Sequence, residues 1–238
     1  AQALYKYHPT YYFLIDRDYH HDDAYIDKCW NNFPDPDTHN LLIWKYKEIE
    51  NYFLEPDYLG SSEYRNVDKH VLEDKIKQCC RNRLYLDAAN HVIISIREEL
   101  KSTWIEKFKE SDDFISSVTA IKKLKEIYEF AAFTNCVISK TDLNEMERRF
   151  NNTLQEMTGG IESLEFGVGN WLKMITGKKV LSQVINSNCF EVKDRENNLL
   201  QGKDKFDRVI KSLLKKNTDN QPDDFKELKK IIMERVLK

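Results

Sequence analysis

No apolar run in this 238-residue chain approaches the roughly 18 residues that a membrane-spanning helix needs. The first residues carry Lys6 and His8 and form no apolar signal segment. No Gly-x-x-x-x-Gly-Lys-Ser/Thr stretch exists, so the chain holds no P-loop ATPase of its own. Cysteine is sparse and odd in number: Cys29, Cys79, Cys80, Cys136 and Cys189, with no Cys-x-x-Cys pair. That usage reads as reduced, buried thiols in a cytoplasmic protein. No internal repeat is evident. An initiator Met is also lacking, and the chain runs almost at once into a core strand. We therefore expect a fragment of a longer protein.

What is present is a folding composition, with 32% charged and 12% aromatic residues. The net charge of −3 is unevenly spread. Residues 1–64 hold 5 Lys+Arg against 12 Asp+Glu, a net −7, and the remainder holds 32 against 28, a net +4. An acidic front suits a bound cation and a mildly basic rear suits a phosphate backbone.

The informative stretch is Tyr11 to Asp18, Tyr-Tyr-Phe-Leu-Ile-Asp-Arg-Asp. Aromatic and β-branched residues run together and stop at Asp16, which reads as a buried strand. Ligands of open α/β sheets collect beyond the carboxyl ends of strands. Asp16 and Asp18, one residue apart, share a face if the chain stays extended. Two such carboxylates repel, and a hard divalent cation, Mg²⁺ or Mn²⁺, relieves that repulsion with oxygen ligands. Tyr19-His20-His21-Asp22-Asp23 follows. Adjacent His rings on a loop rarely converge on one metal, so this segment reads as a solvated loop.

Residues 31–40 are turn chemistry, and Leu41–Tyr46 reads as a second strand. Lys47-Glu48-Ile49-Glu50 stands directly after it. Glu48 and Glu50 flank Ile49, so one of them is placed to face the aspartates while Ile49 turns to the core. Glu55-Pro56-Asp57 opens a turn or short helix.

From about residue 67 the period becomes helical. Val71, Leu72, Ile76, Leu84, Ala88, Val92, Ile96 and Leu100 keep one stripe. Ser111 or Asp112 caps a helix carrying Phe114, Val118, Ile121 and Leu124. Thr141 caps another that ends near Gly159-Gly160, and a last helix begins near Pro222 with Phe225, Leu228, Ile232 and Val236 inward. Between them, Gly177-Lys178-Lys179 interrupts an apolar segment. It offers N–H groups and ammonium charges to a phosphate, although an ordinary exposed helix start is the plainer reading.

Phe13-Leu14-Ile15-Asp16-Arg17-Asp18 and Tyr46-Lys47-Glu48-Ile49-Glu50-Asn51-Tyr52-Phe53-Leu54 together resemble the Toprim nuclease domain of the overcoming-lysogenization-defect (OLD) group. The likeness is to the branch found in anti-phage systems, coupled to an ABC-type ATPase in the same or a partner chain. It covers about 60 residues, and Gly177–Leu181 is similar to a Gly-Lys element of the helical tail. The resemblance implies an α/β fold: an incomplete, Rossmann-like Toprim sheet over residues 1–66 and a mainly helical region over 67–238. It implies a metal-dependent nuclease acting on DNA or RNA, with Asp16 and Asp18 as Mg²⁺ or Mn²⁺ ligands. Glu50 is then a further ligand or water-positioning group, Glu48 its substitute, and Lys178 the lysine that contacts phosphate. The Toprim pattern opens with a Glu on an earlier strand, and no carboxylate precedes Asp16 here. Nucleic acid and an ATPase domain or subunit are the implied partners, with self-association open and no membrane contact. The competing expectation is a non-catalytic Toprim-like module that docks an ATPase.

Overall fold

Phe13–Ile15 forms strand β1 and Leu41–Ile43 strand β2. They pair in parallel, Phe13 opposite Leu41, Leu14 opposite Leu42 and Ile15 opposite Ile43. A parallel pair needs a crossover, and helix α1 (Asp23–Asn32) supplies it. Asp22 caps α1 by accepting the Tyr25 N–H at 2.9 Å. Trp30, at the other end of α1, donates its indole N–H to the Ile43 carbonyl at 2.7 Å. In this computed structural model the described residues are 7–8, 11–19, 22–100, 105–110, 112–133, 142–216 and 219–237. His20, His21, Ser111, Cys136 and Thr141 lie outside them.

Helices α2 (Ile49–Phe53) and α3 (Pro56–Gly60) follow β2. The long α4 (Lys69–Leu100) comes next, then α5 (Ser117–Phe133), α6 (Leu143–Thr158) and α7 (Trp171–Met174). The chain closes with α8 (Gly177–Ile185), α9 (Gly202–Lys215) and α10 (Asp223–Ile231), the last running into a π-helical turn at Ile232–Val236. The protein is thus mixed α/β, mainly helical, with a two-stranded parallel sheet among the described residues. No helix of the described residues is long and apolar enough to cross a membrane.

Residues 1–73 and 177–238 form one compact unit, and residues 74–176 form a second. The sequence suggests regions 1–66 and 67–238; the compact units instead divide at 73/74 and again at 176/177, so residues 177–238 belong with the front of the chain and not with a single rear region.

The core of the first unit is built on Ile26, Trp30, Leu42, Ile43, Trp44 and Tyr52. Strand β2 stops at Ile43, short of the expected Tyr46, because the Lys45 and Tyr46 amides donate to the Tyr52 hydroxyl at 3.0 and 3.2 Å. Helix α10 closes this core. Phe225 packs, centroid to centroid, 5.4 Å from Trp44, 5.2 Å from Tyr52, 5.8 Å from Phe53 and 6.0 Å from Tyr58. Ile231 rather than Ile232 is its buried aliphatic residue: Phe225, Leu228 and Ile231 follow at steps of three along α10, and Ile232 turns to solvent.

The second unit has its own core. Leu72's stripe continues there through Ile76, Cys80, Leu84, Ala88, Val92 and Ile96, all buried, while Val71 is exposed. Ala120 and Leu124 bury α5, whereas Val118 is exposed; Phe114 precedes the helix, so its phase does not carry into it. Asp142 caps α6 by accepting the Glu145 N–H, and Gly159 ends it in the left-handed conformation, φ 66°. Asp87 is fully buried and accepts from the Thr176 amide and hydroxyl at 3.0 and 2.7 Å. Cys29, Cys79, Cys80 and Cys189 are buried thiols.

Where α10 meets the core of the first unit, acids crowd. Burial pushes the Glu55 carboxyl up from its usual range. The Tyr46 hydroxyl, donating to it, opposes that shift, and the charges of Asp223 and Asp224 add to it. A carboxyl held above its unfolded pKa favours the native state below the unfolded value, and that advantage is lost as pH rises through the folded value. Glu55→Gln, neutral at every pH and still able to accept from Tyr46, is therefore expected to raise Tm by roughly 2 °C at pH 7. The gain should vanish near pH 4 in paired thermal melts.

Candidate functional site

Asp16 is the first residue beyond β1, and the β2–α2 turn lies beside it. The strands end, but their loops stay joined. Arg17 donates to the Lys45 carbonyl at 3.0 Å and pairs with Asp23 at 2.7 Å. The Asp18 N–H donates to the Lys47 carbonyl at 2.8 Å. Asp16 Oδ1 accepts the Ile49 N–H at 2.9 Å, at the first residue of α2. One aspartate thus reaches directly between Glu48 and Glu50.

Asp18 is exposed and adopts φ 51°. The chain turns at this residue instead of staying extended, so a simple strand alternation does not set the direction of its side chain. Aspartate tolerates this left-handed conformation better than most residues.

Glu48 is the N-cap of α2 in a capping box. Its N–H donates to Asn51 Oδ1 at 3.1 Å, and the Asn51 N–H returns to Glu48, shared between the carbonyl at 3.0 Å and the carboxylate of the capping box. Glu48 Oε2 also accepts the Lys178 N–H at 2.8 Å. The same carboxylate therefore closes the N-termini of α2 and α8. Ile49 follows as helix, not strand, yet it still packs on the core as expected. Glu50 lies in the first turn of α2, where negative charge is favoured by the helix dipole.

Of the five residues singled out in the sequence, Asp16, Glu48 and Lys178 are brought together by hydrogen bonds around the N-terminus of α2. Asp18 adjoins them through Lys47. Neither Glu50 nor the Asp18 carboxylate makes a hydrogen bond or ion pair among the described residues. Lys178 is exposed at the start of α8; its backbone N–H is taken by Glu48, which leaves the side chain, rather than the amide, for any anion.

The sequence reading gave no role to Lys47, Tyr19 or Asn51. Lys47 is buried, 2% exposed, and donates to the Tyr19 hydroxyl at 3.1 Å. Its ammonium lies 4.2 Å from the centre of that ring. Asn51 is fully buried against Gly177. A lysine between two acidic motifs looks like an exposed charge, and only the fold turns it inward.

The donors at this edge are oxygen atoms, which suit Mg²⁺ or Mn²⁺. No group of three or more His, Cys, Asp or Glu side chains among the described residues is arranged to hold a metal ion. Asp16, with one oxygen outside its hydrogen bond to Ile49, and Asp18 supply two carboxylates. Mg²⁺ takes one or two carboxylates and keeps several waters, so a pair of this kind would suit it where both carboxylates reach one ion.

Comparison with protein-family models, with characterised proteins and with solved structures returned no match.

Gly177 is the point of closest approach in this arrangement. A Cβ there would lie 2.8 Å from the Asn51 backbone nitrogen, with the Asn51 side chain nearer still. Gly177→Ala is expected to cost about 1–3 kcal/mol, read as a lower urea midpoint with an unchanged slope.

Proposed function

We propose that the first unit is a Toprim-like module whose Asp16 and Asp18 bind Mg²⁺ or Mn²⁺ for phosphodiester hydrolysis in DNA or RNA. The observation that carries the reading is the hydrogen bond from the Ile49 N–H to Asp16, which joins the Asp-x-Asp and Glu-x-Glu segments at the strand tips. The resemblance to the OLD group adds the context: a cytoplasmic nuclease working with an ABC-type ATPase in anti-phage defence.

The ion, when bound, neutralises charge on the phosphate and makes its water more acidic. Asp16, fixed at one oxygen by the Ile49 N–H, would offer the other to the cation. Asp18 would contribute a second carboxylate from the turn. Glu50, in the first turn of α2, would serve as a further ligand or orient a water by accepting a hydrogen bond from it. The ammonium of Lys178 attracts the phosphate backbone. Glu48 holds the two helix starts that frame these groups and takes no proton in the reaction.

The second reading is a non-catalytic module that docks an ATPase. Two observations favour it. Glu48 is committed to helix capping, and the described residues hold no three-ligand group.

Asp16→Asn separates the two. Its amide oxygen still accepts from Ile49, so the fold is kept while the charge is lost. Cutting of supercoiled plasmid with Mg²⁺ or Mn²⁺ should fall by about 10²-fold or more if the site is catalytic. Equal behaviour of the wild-type and variant chains, neither cutting DNA or RNA, supports the docking module.

A further inference from the structure

Lys47 is the buried cation of this edge. Removing an ammonium from water carries a penalty of several kcal/mol unless partners offset it. Tyr19 provides two such partners at once: a hydroxyl accepting at 3.1 Å and a ring face with its centre 4.2 Å from the ammonium. Tyr19 itself is 8% exposed, so the pair is a buried unit.

The position of this unit is what gives it meaning. Tyr19 directly follows Asp18, and Lys47 directly precedes Glu48. The Lys47 carbonyl accepts the Asp18 N–H at 2.8 Å. Lys47 therefore holds the Asp18 turn twice, by its backbone on one side of the residue and by its side chain on the other. Asp18 has φ 51°, a turn that aspartate tolerates and that these two contacts hold in place. Both strands are only three residues long, so they do not fix these loops by themselves.

We infer that Lys47 is a positioning residue that, through Tyr19, sets the Asp16–Asp18 turn for a divalent cation. The inference rests on the metal-binding reading given above. Lys47 touches neither cation nor substrate in this role. It fixes the backbone from which Asp18 projects, as outer partners orient metal ligands elsewhere.

The test uses the full chain and Mn²⁺ alone as the probe, followed by electron paramagnetic resonance titration. Lys47→Met keeps the stem and removes the ammonium. It is expected to raise the Mn²⁺ Kd by about 10–100-fold with an unchanged circular dichroism spectrum. In the metal-free protein, hydrogen exchange at the Asp18 amide should accelerate in the same variant. Tyr19→Phe keeps the ring face but loses the hydroxyl, and should weaken Mn²⁺ by a smaller factor. Lys47→Arg, retaining charge and ring contact, should restore most of the affinity lost in Lys47→Met. Wild-type affinity and wild-type Asp18 exchange in Lys47→Met would overturn the role of Lys47. Should that variant fail to fold, Tyr19→Phe decides: weakened Mn²⁺ binding supports the role and unchanged binding overturns it. A wild-type chain that binds no Mn²⁺ overturns the metal reading and this role with it, a pattern distinct from wild-type binding that ignores Lys47.

Discussion

Two helix N-termini close on one carboxylate, that of Glu48. Each helix start leaves N–H groups without intrahelical acceptors, and a charged acceptor is the strongest remedy available to them. Glu48 takes the Asn51 N–H of α2 and the Lys178 N–H of α8. The sharing demands that the two helix starts lie against each other, and this is possible because residue 177 has no side chain. Through this junction the segment after Gly177 returns to the strand tips. Lys178 arrives beside the acids, and α10 follows later to seal the aromatic core with Phe225.

The placement of the acids is governed more by loop contacts than by the sheet. Three residues in each strand make a brief ladder. Beyond it, Arg17 on Lys45, Asp18 on Lys47 and Asp16 on Ile49 continue the pairing with mixed side-chain and backbone bonds. Charge is arranged with the same logic: negative groups meet helix starts, and Lys45 meets Asp224 and Glu227 at 3.1 and 3.2 Å. Burial works against the Lys45 ammonium, but these carboxylates outweigh it and hold its pKa above the ordinary value. Leu14, in the middle of β1, remains 44% exposed, unusual for a parallel strand.

Local chemistry made part of this legible. The aromatic run ending at Asp16 marked β1, and Asp-Pro-type turn residues marked the crossover's end. Gly159 and Pro222 marked helix limits. The approach of Asp16 to the Glu48–Glu50 segment is legible because both follow short strands, and parallel strands bring their carboxyl ends together; the expected burial of the first strand does not hold, since Phe13 is half-buried and Leu14 and Ile15 are exposed. Other features depend on partners far away in sequence. Tyr52 cuts β2 short by capturing two amides, which no period within Leu41–Tyr46 can announce. The inward turn of Lys47 requires Tyr19, 28 positions earlier. The association of α8 with α2 is carried by a hydrogen bond spanning 130 positions. The alternation of the run makes Asp18 strand-like, whereas its left-handed turn is set by contacts with the opposite loop.

The first unit is discontinuous, made of residues 1–73 and 177–238, while residues 74–176 are contiguous. On a ribosome, that order matters. The inserted stretch emerges whole and can settle by itself, whereas β1 and β2 must wait for Phe225 before their aromatic core is sealed. Before α10 is synthesised, Trp44 and Tyr52 lack the Phe225 face of their aromatic cluster, so the first unit completes its core only after the whole of residues 74–176 has been made.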